Sequence, residues 1–485
     1  MLLAAVTLVL GKIEKPSQIS GPMIVLYNLW FNGHRFSTQE LTRRNFGESF
    51  MSRVHHQFSY ALLLLGIVAC SAGEKRSAAS DRCDEGDGGI TLPPGFCASV
   101  FADEVGVARH MVVTPTGDVY VALEDASRSS ATTTHVRGEN GRGGIVALRD
   151  TNADGRSDIR MRIVDASHSG MALRLPWLYS SSVTSVLRYR LDSGSLAPIG
   201  SPDTIVTGFP DGGHSSRSLA LDDSGNLFVN IGSDSNACYS SGRGLDPCPE
   251  LDARAGVWRY DPTRLHQVHD VSHRFATGIR NAVGLAWNQG LHALYATQNG
   301  RDDLHNSYPK LYSAEKSNDT PSEELLKVEA GDDYGWPYCY HDRVLRRRVL
   351  APEYGGDGNK ADRCADKKLP IFAFPGHWAP DGLLFYQGTQ FPAWYRNGVF
   401  IAFHGSWNRI GRQEGYKVVF VPFVGGAARD SSEVFADGFA GGHMDPGGAR
   451  YRPVGLAEGP DGSLYISDDQ RGRIWRIIYT GKNQP

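Results

Sequence analysis

His214 stands in the cluster Gly213-His214-Ser215-Ser216-Arg217-Ser218-Leu219, and Arg450 and Arg452 stand in Ala449-Arg450-Tyr451-Arg452-Pro453-Val454. Each cluster runs straight into an apolar, strand-like segment. Imidazole is the side chain suited to taking a proton near neutral pH. Two arginines spaced two apart on an extended chain point to one side and leave Tyr451 on the other. Guanidiniums sharing a face repel unless an anion joins them, so a base and an anion clamp brought together would make a pocket for an anionic ligand and a proton transfer. The competing reading of the pair is salt bridging to Asp445 or Asp468. A third constellation, Asp150-Thr151-Asn152-Ala153-Asp154-Gly155-Arg156-Ser157-Asp158, alternates oxygen-bearing side chains around a glycine. Asp150, Asn152, Asp154 and Asp158, with the backbone carbonyl of Arg156, could surround a calcium ion. No helices flank it and its twelfth position is Met161, not glutamate. The expectation is therefore a structural calcium loop between strands, with an Asp-rich solvated turn as the alternative.

These clusters need elements to position them. One theme recurs, an apolar strand, a glycine-containing turn and a second strand, at Met111–Leu123, Ala172–Arg190, Leu219–Ile231, Gly284–Thr297, Val399–Phe423 and Gly455–Ile466. Six imperfect repeats without a long amphipathic helix between them predict an all-β fold, a six-bladed β-propeller, with a sandwich as the fallback. The strand after Leu92 and the final Arg473–Ile478 segment are expected to share a blade and close the ring. The Asp-, Lys-, Gly- and Pro-rich interval from Asn299 to Trp378 is expected to form long inserted loops over one face.

Composition narrows the function classes. A formal charge of -3, with no basic stripe interleaved with aromatics, argues against nucleic-acid binding. Residues 51–70 read as a lipoprotein-type signal: a polar start, an apolar run too short to span a bilayer, and Ile67-Val68-Ala69-Cys70. This implies export to the bacterial periplasm or outer surface, with membrane attachment only through a lipid anchor at Cys70. Residues 1–50 read as a doubtful leader or mis-assigned start, 71–90 as a tether and 91–485 as the propeller domain. The remaining cysteines cluster as Cys83/Cys97, Cys238/Cys248 and Cys339/Cys364, which favours those disulfides in an oxidising compartment. Without a Cys-x-x-Cys-His motif, no covalently attached haem is encoded.

From Leu92 to Tyr479 the chain resembles the soluble pyrroloquinoline quinone (PQQ)-dependent sugar dehydrogenases, in their sorbosone and pyranose dehydrogenase branch. The resemblance rests on Leu92-Pro93-Pro94-Gly95-Phe96, the His214 cluster, Gly278-Ile279-Arg280-Asn281-Ala282-Val283-Gly284, Glu323-Glu324-Leu325, Asp333-Tyr334-Gly335-Trp336-Pro337, Gly405-Ser406-Trp407-Asn408-Arg409 and Arg450-Tyr451-Arg452, in that order. It implies a propeller holding PQQ and Ca²⁺ over its channel, with His214 as base. Arg280, Asn281, Arg450 and Arg452 would bind the cofactor, and Arg217 is a further candidate. Where the glucose dehydrogenases place a lysine against the quinone, Asn408 or Arg409 would substitute. Their calcium-binding Gly-Pro step corresponds to Gly300-Arg301 here, and Glu323 aligns with the acid that follows; Arg301 replaces proline and a long segment intervenes. Trp407, Trp378 and His377 could line the sugar side or belong to blade cores.

The activity so implied is oxidation of an aldose to its lactone, with electrons passed to a separate cytochrome c or quinone. Two rivals of other classes remain, a calcium-dependent propeller lactonase and a non-catalytic propeller that binds glycans or proteins.

Overall fold

The computed structural model describes residues 29–31, 34–36, 83–127 and 141–481. The signal segment and Cys70 lie outside the described residues. The chain divides into Met1–Ser77 and Ala78–Pro485. In the first unit Leu29–Phe31 pairs antiparallel with His34–Phe36.

The second unit is a propeller of six sheets among the described residues, antiparallel except where Gln267–Val268 pairs parallel to Ile199–Thr207 at the outer edge of one of them. Blade I comprises Ala108–Val113, Val119–Leu123, Gly144–Arg149 and Ile159–Val164; blade II begins at Met171–Arg174, blade III at Leu219–Leu221, blade IV at Leu285–Asn288 and blade V at Pro380–Phe385. Blade VI joins Pro453–Glu458, Leu464–Asp468 and Ile474–Tyr479 to the early strand Phe96–Ala102, which pairs with Ile474–Tyr479. The expected closure of the ring forms, leaving no open edge between first and last blades. The first strands of successive blades neighbour one another around the central channel.

Each blade is covered on both faces, which explains why inner strands such as Val119–Leu123, Leu227–Ile231, Ala293–Gln298 and Gly398–Phe403 are buried along their whole length. In Val119–Leu123, Val119, Val121 and Leu123 enter the core shared with blade VI, while Tyr120 and Ala122 enter the core shared with blade II. Period-two alternation thus sends successive side chains to different neighbouring blades. Every blade pair has such a core.

The 299–378 interval is only partly insertion. Glu323–Val328 and Phe372–Phe374 are the third and fourth strands of blade IV. Around them the inserted chain forms two short helices, Leu304–Ser307 and Ala314–Asp319, and the hairpin Cys339–Asp342/Arg347–Leu350. The three expected disulfides are formed, Cys83–Cys97, Cys238–Cys248 and Cys339–Cys364.

Candidate active site

At one mouth of the channel lies a cavity of about 450 Å³, within the roughly 300–1,000 Å³ range of small-molecule sites. Its walls come from equivalent positions in several blades. Arg109, Val283, Asp381 and Arg452 lie at or just before the starts of first strands, and Glu124, Asn299 and His404 immediately follow the ends of second strands. In an antiparallel blade those two positions share one end of the sheet. Closing the ring converges them.

His214 is half-buried in the wall. Its Nδ1 lies 2.9 Å from the Ser233 carbonyl oxygen, an acceptor, so Nδ1 carries the proton and the Nε2 lone pair is left for the cavity. Burial, and then the nearby Arg280, pull its pKa down to about 3, so the ring is neutral at physiological pH. The close approach of its strand-end loop requires glycine at two places. A Cβ at Gly232 would lie 2.6 Å from the His214 Cβ, and Gly213, at φ +58°, would set one 2.4 Å from the Asp234 Cα.

Opposite charges gather around it. Arg280 Nη2 donates to Asp302 at 2.8 Å and Nη1 to the Gly300 carbonyl at 2.8 Å. Burial would push Asp302 up, but Arg280 and His377 outweigh it and hold the carboxyl well below the usual range. Asp302 also accepts from Asn408 Nδ2. His377 donates Nε2–H to the Ser317 carbonyl at 2.8 Å, and Asp302 raises its pKa against the effect of burial. Glu323 accepts from the Gly300 N–H at 2.9 Å, and burial pushes it up to about 7. A second cluster ties blades I, V and VI: Arg109 donates to Asp469 at 2.8 Å and lies 3.6 Å from Asp381 and 3.7 Å from Glu124, while His404 meets Asp469 at 2.8 Å. Arg452 donates to the His404 and Gly405 carbonyls at 3.1 and 2.9 Å.

The structure thus brings His214, Arg280, Asn281, Gly300, Glu323, Asn408 and Arg452 to one cavity, together with His377 and Trp407. It places the other expected residues elsewhere. Arg450 is exposed, its guanidinium 5.2 Å over the Tyr451 ring. The reason is that the strand begins only at Pro453: Arg450 and Tyr451 donate their N–H groups to Ala440 and Phe439 across a loop, so strand alternation never applies to the pair. Arg217 is fully buried behind His214. It donates to the backbone carbonyls of His214, Ser216, Pro210 and Val183 and positions the base's loop rather than lining the cavity. Arg409 turns back to the Asn318 and Gly376 carbonyls, and the Arg301 side chain pairs with Glu353. Trp378 packs on Phe403 in a blade core.

The Asp150–Asp158 loop joins the outer two strands of blade I, away from the cavity. Asp150 accepts from the backbone N–H groups of Asn152, Ala153 and Gly155; Asp158 accepts from Thr151 and Asn152; Asp154 accepts from Arg156 N. Among the described residues these carboxylates do not converge within 4.8 Å, and Arg156 pairs with Asp84. In this structure the loop is closed by its own carboxylate-to-backbone hydrogen bonds, as Asp-rich turns are. The Cys238/Cys248/Glu250 grouping is a disulfide beside a carboxylate and offers no thiolates.

Arg109, Glu124, Asn299, Asp302, Asp381 and His404 were not singled out from sequence. The available signal was positional: Glu124, Asn299 and His404 each follow the second strand of a repeat.

The donor set bears on what the cavity can hold. The side-chain oxygens of Asn281, Asn299 and Asn408 are buried and make no hydrogen bond among the described residues, as does Arg109 Nε. Unpaired amide oxygens beside Glu323 and Asp302 fit a hard cation. The guanidiniums of Arg452, Arg280 and Arg109 fit an anionic partner.

The TrAA12-like family matches residues 90–480. A pyrroloquinoline quinone-dependent pyranose dehydrogenase of Coprinopsis cinerea is 28% identical over 324 residues, 56% of this chain and 41% of that protein, so the match spans less than half of that relative. The holo form of the pyranose dehydrogenase PQQ domain from Coprinopsis cinerea aligns at TM-score 0.63 and 18% identity, over 80% of this chain and 97% of that one. The calcium structure of the Trichoderma reesei family AA12 protein aligns at TM-score 0.65 and 19% identity, over 82% and 99%. At these identities the two structures share the fold. Because the family match runs through all six blades and the strand that closes them, the chain belongs to the TrAA12-like family.

Proposed function

We propose that the protein is a PQQ-dependent sugar dehydrogenase that oxidises an aldose at its anomeric carbon. The observation that carries the reading is one cavity that holds a neutral imidazole with a free Nε2, three guanidiniums and three unpartnered amide oxygens. Arg452, Arg280 and Arg109 would hold the cofactor's carboxylates, and Asn281, Asn299, Asn408 and Glu323 would supply oxygens to Ca²⁺. When bound, PQQ supplies a two-electron hydride acceptor, and Ca²⁺ polarises its carbonyl.

The residues of this chain do the rest. His214 Nε2 takes the proton of the sugar hydroxyl. Ser233 fixes the tautomer through Nδ1, and Arg217 fixes the loop through the His214 carbonyl. Burial and Arg280 keep the free imidazole weakly basic; an anion seated against Arg280 would offset that charge and raise its basicity. The Asp302 carboxylate holds Arg280 in place. The reduced cofactor would pass its electrons to a separate acceptor. The export expected of residues 51–70 and the lipid anchor at Cys70 would place this chemistry outside the cytoplasm.

The unpaired Asn oxygens also favour a second reading, a calcium-dependent lactone hydrolase. The test is the full chain with Ca²⁺, with and without PQQ, assayed for dye reduction over a sugar panel and for lactone hydrolysis. The dehydrogenase gives a PQQ spectral change and sugar-dependent dye reduction. Lactone hydrolysis without PQQ, and no dye reduction with it, overturns the proposal. His214→Ala should retain PQQ binding and lose about 10²-fold or more in turnover, the usual contribution of a general base.

A further inference from the structure

Trp407 is the most exposed tryptophan within residues 141–481, at 59%. Within residues 141–481 every other tryptophan is buried or engaged: Trp394 donates to Glu433, and Trp177 lies under Arg188. Trp407 has no hydrogen bond, ring contact or cation contact among the described residues. An indole left in water at the edge of a site is a large apolar surface without a structural use.

The loop that carries it is fixed on both sides. Before it, Gly405 takes φ +99° against the Tyr416 ring, where a Cβ would come within 2.4 Å. The Ser406 carbonyl accepts from Tyr416 Oη at 2.6 Å, and Ser406 Oγ donates to Gln413 at 2.7 Å. After it, Asn408 donates to Asp302, Arg409 donates to the Asn318 and Gly376 carbonyls, and Ile410 N–H donates to Asn318 at 2.7 Å. A rigid backbone presenting a free aromatic ring loses little conformational entropy when something stacks on it.

Position says what would stack. Trp407 lines the cavity and keeps more than half of its surface in contact with solvent. A cavity of about 450 Å³ lies near the lower end of the small-molecule range, so a cofactor and the ring being oxidised would fill it. The indole lines that cavity and also reaches solvent, so a saccharide extending out of the cavity would meet it through its pyranose C–H faces.

Resting on the dehydrogenase reading, we infer that Trp407 is the platform for the sugar unit next to the one oxidised, which makes oligosaccharides with a free reducing end the preferred substrates. Calorimetric titration of the full chain, loaded with Ca²⁺ and PQQ and also unloaded, with glucose, cellobiose, cellotriose, maltose and maltotriose tests this. The wild type should bind a trisaccharide of at least one series more tightly than glucose. Trp407→Ala should remove about 2- to 12-fold of that preference, the worth of one aromatic stacking contact, weakening trisaccharide binding more than glucose binding with melting temperature unchanged, and Trp407→Phe should keep part of it. No length preference in the wild type, or an equal loss for glucose and trisaccharide, overturns the inference. Binding does not require turnover: length preference without dye reduction would sink the dehydrogenase reading and leave the platform standing.

Discussion

Glu324→Gln is the perturbation whose size the structure defines best. Arg348, on the inserted hairpin, forks onto Glu324 in blade IV, with Nη1 and Nη2 each 2.6 Å from a carboxylate oxygen and both side chains 1% exposed. Glu324 also accepts from Gln298 Nε2 at 2.9 Å, and the Gln298 oxygen accepts from Arg280 N at 2.8 Å. The pair therefore joins the insertion to the backbone that carries an active-site arginine. A guanidinium does not deprotonate to escape burial, so removing its counter-charge leaves a buried cation, which costs about 3–5 kcal/mol. Arg348 keeps its Nε bond to the Lys368 carbonyl at 2.8 Å, and glutamine can still accept one bond, so the low end, about 3 kcal/mol, is expected. The double change Glu324→Leu with Arg348→Met removes both charges and leaves Gln298 Nε2 unpaired, a loss of about 1–2 kcal/mol. Guanidinium unfolding of the three proteins, fitted for midpoint and slope, is the assay. A single variant within about 1 kcal/mol of wild type, or a double variant no more stable than the single, refutes the argument that the pair is held by mutual charge compensation.

Burial lowers the pKa of His168 to about 4 and of His341 to about 3. The unfolded chain then takes up protons below pH 6.5 that the native state refuses, so their contribution is complete above 6.5 and is lost as pH falls toward 4. Glu323 and Asp468, pushed up to about 7, act in the opposite direction, and the comparison must be against variants. The stability of His341→Gln relative to wild type should rise by about 1.4 kcal/mol per pH unit below 6.5; a difference constant between pH 7 and 5 contradicts the neutral buried ring. Arg452→Ala should weaken PQQ binding at least tenfold, as loss of a charge-assisted contact does, whereas Arg450→Ala should leave it unchanged. Equal effects in a PQQ absorbance titration would mean that the two arginines act together after all.

Much of this molecule was legible in its residues because local rules governed those parts. Six strand-turn-strand repeats predicted six blades, the apolar ends of the domain predicted the shared closing blade, and cysteine clustering predicted three disulfides. Short motifs carry His214, Arg280, Asn281 and Arg452, which the structure brings to one cavity. Arg450 was misplaced because its two-residue spacing was read as strand before a strand had begun. For the Asp150–Asp158 loop the residues alone do not decide, because calcium loops and Asp-rich turns share a composition.

What sequence by itself determined is the class of architecture and the residue types available, because strand periodicity, turn chemistry and cysteine spacing act over a few residues. What only tertiary structure decided is which of those residues meet. Arg109 and Asp469 stand at opposite ends of the domain and touch at 2.8 Å because the ring closes through Phe96–Ala102. Gly300 and Glu323, separated by an insertion, meet at 2.9 Å because one follows the second strand of blade IV and the other begins the third. Closure of the ring turns these scattered strand ends into a single cavity, and which of them then meet is a long-range outcome that no local signature records.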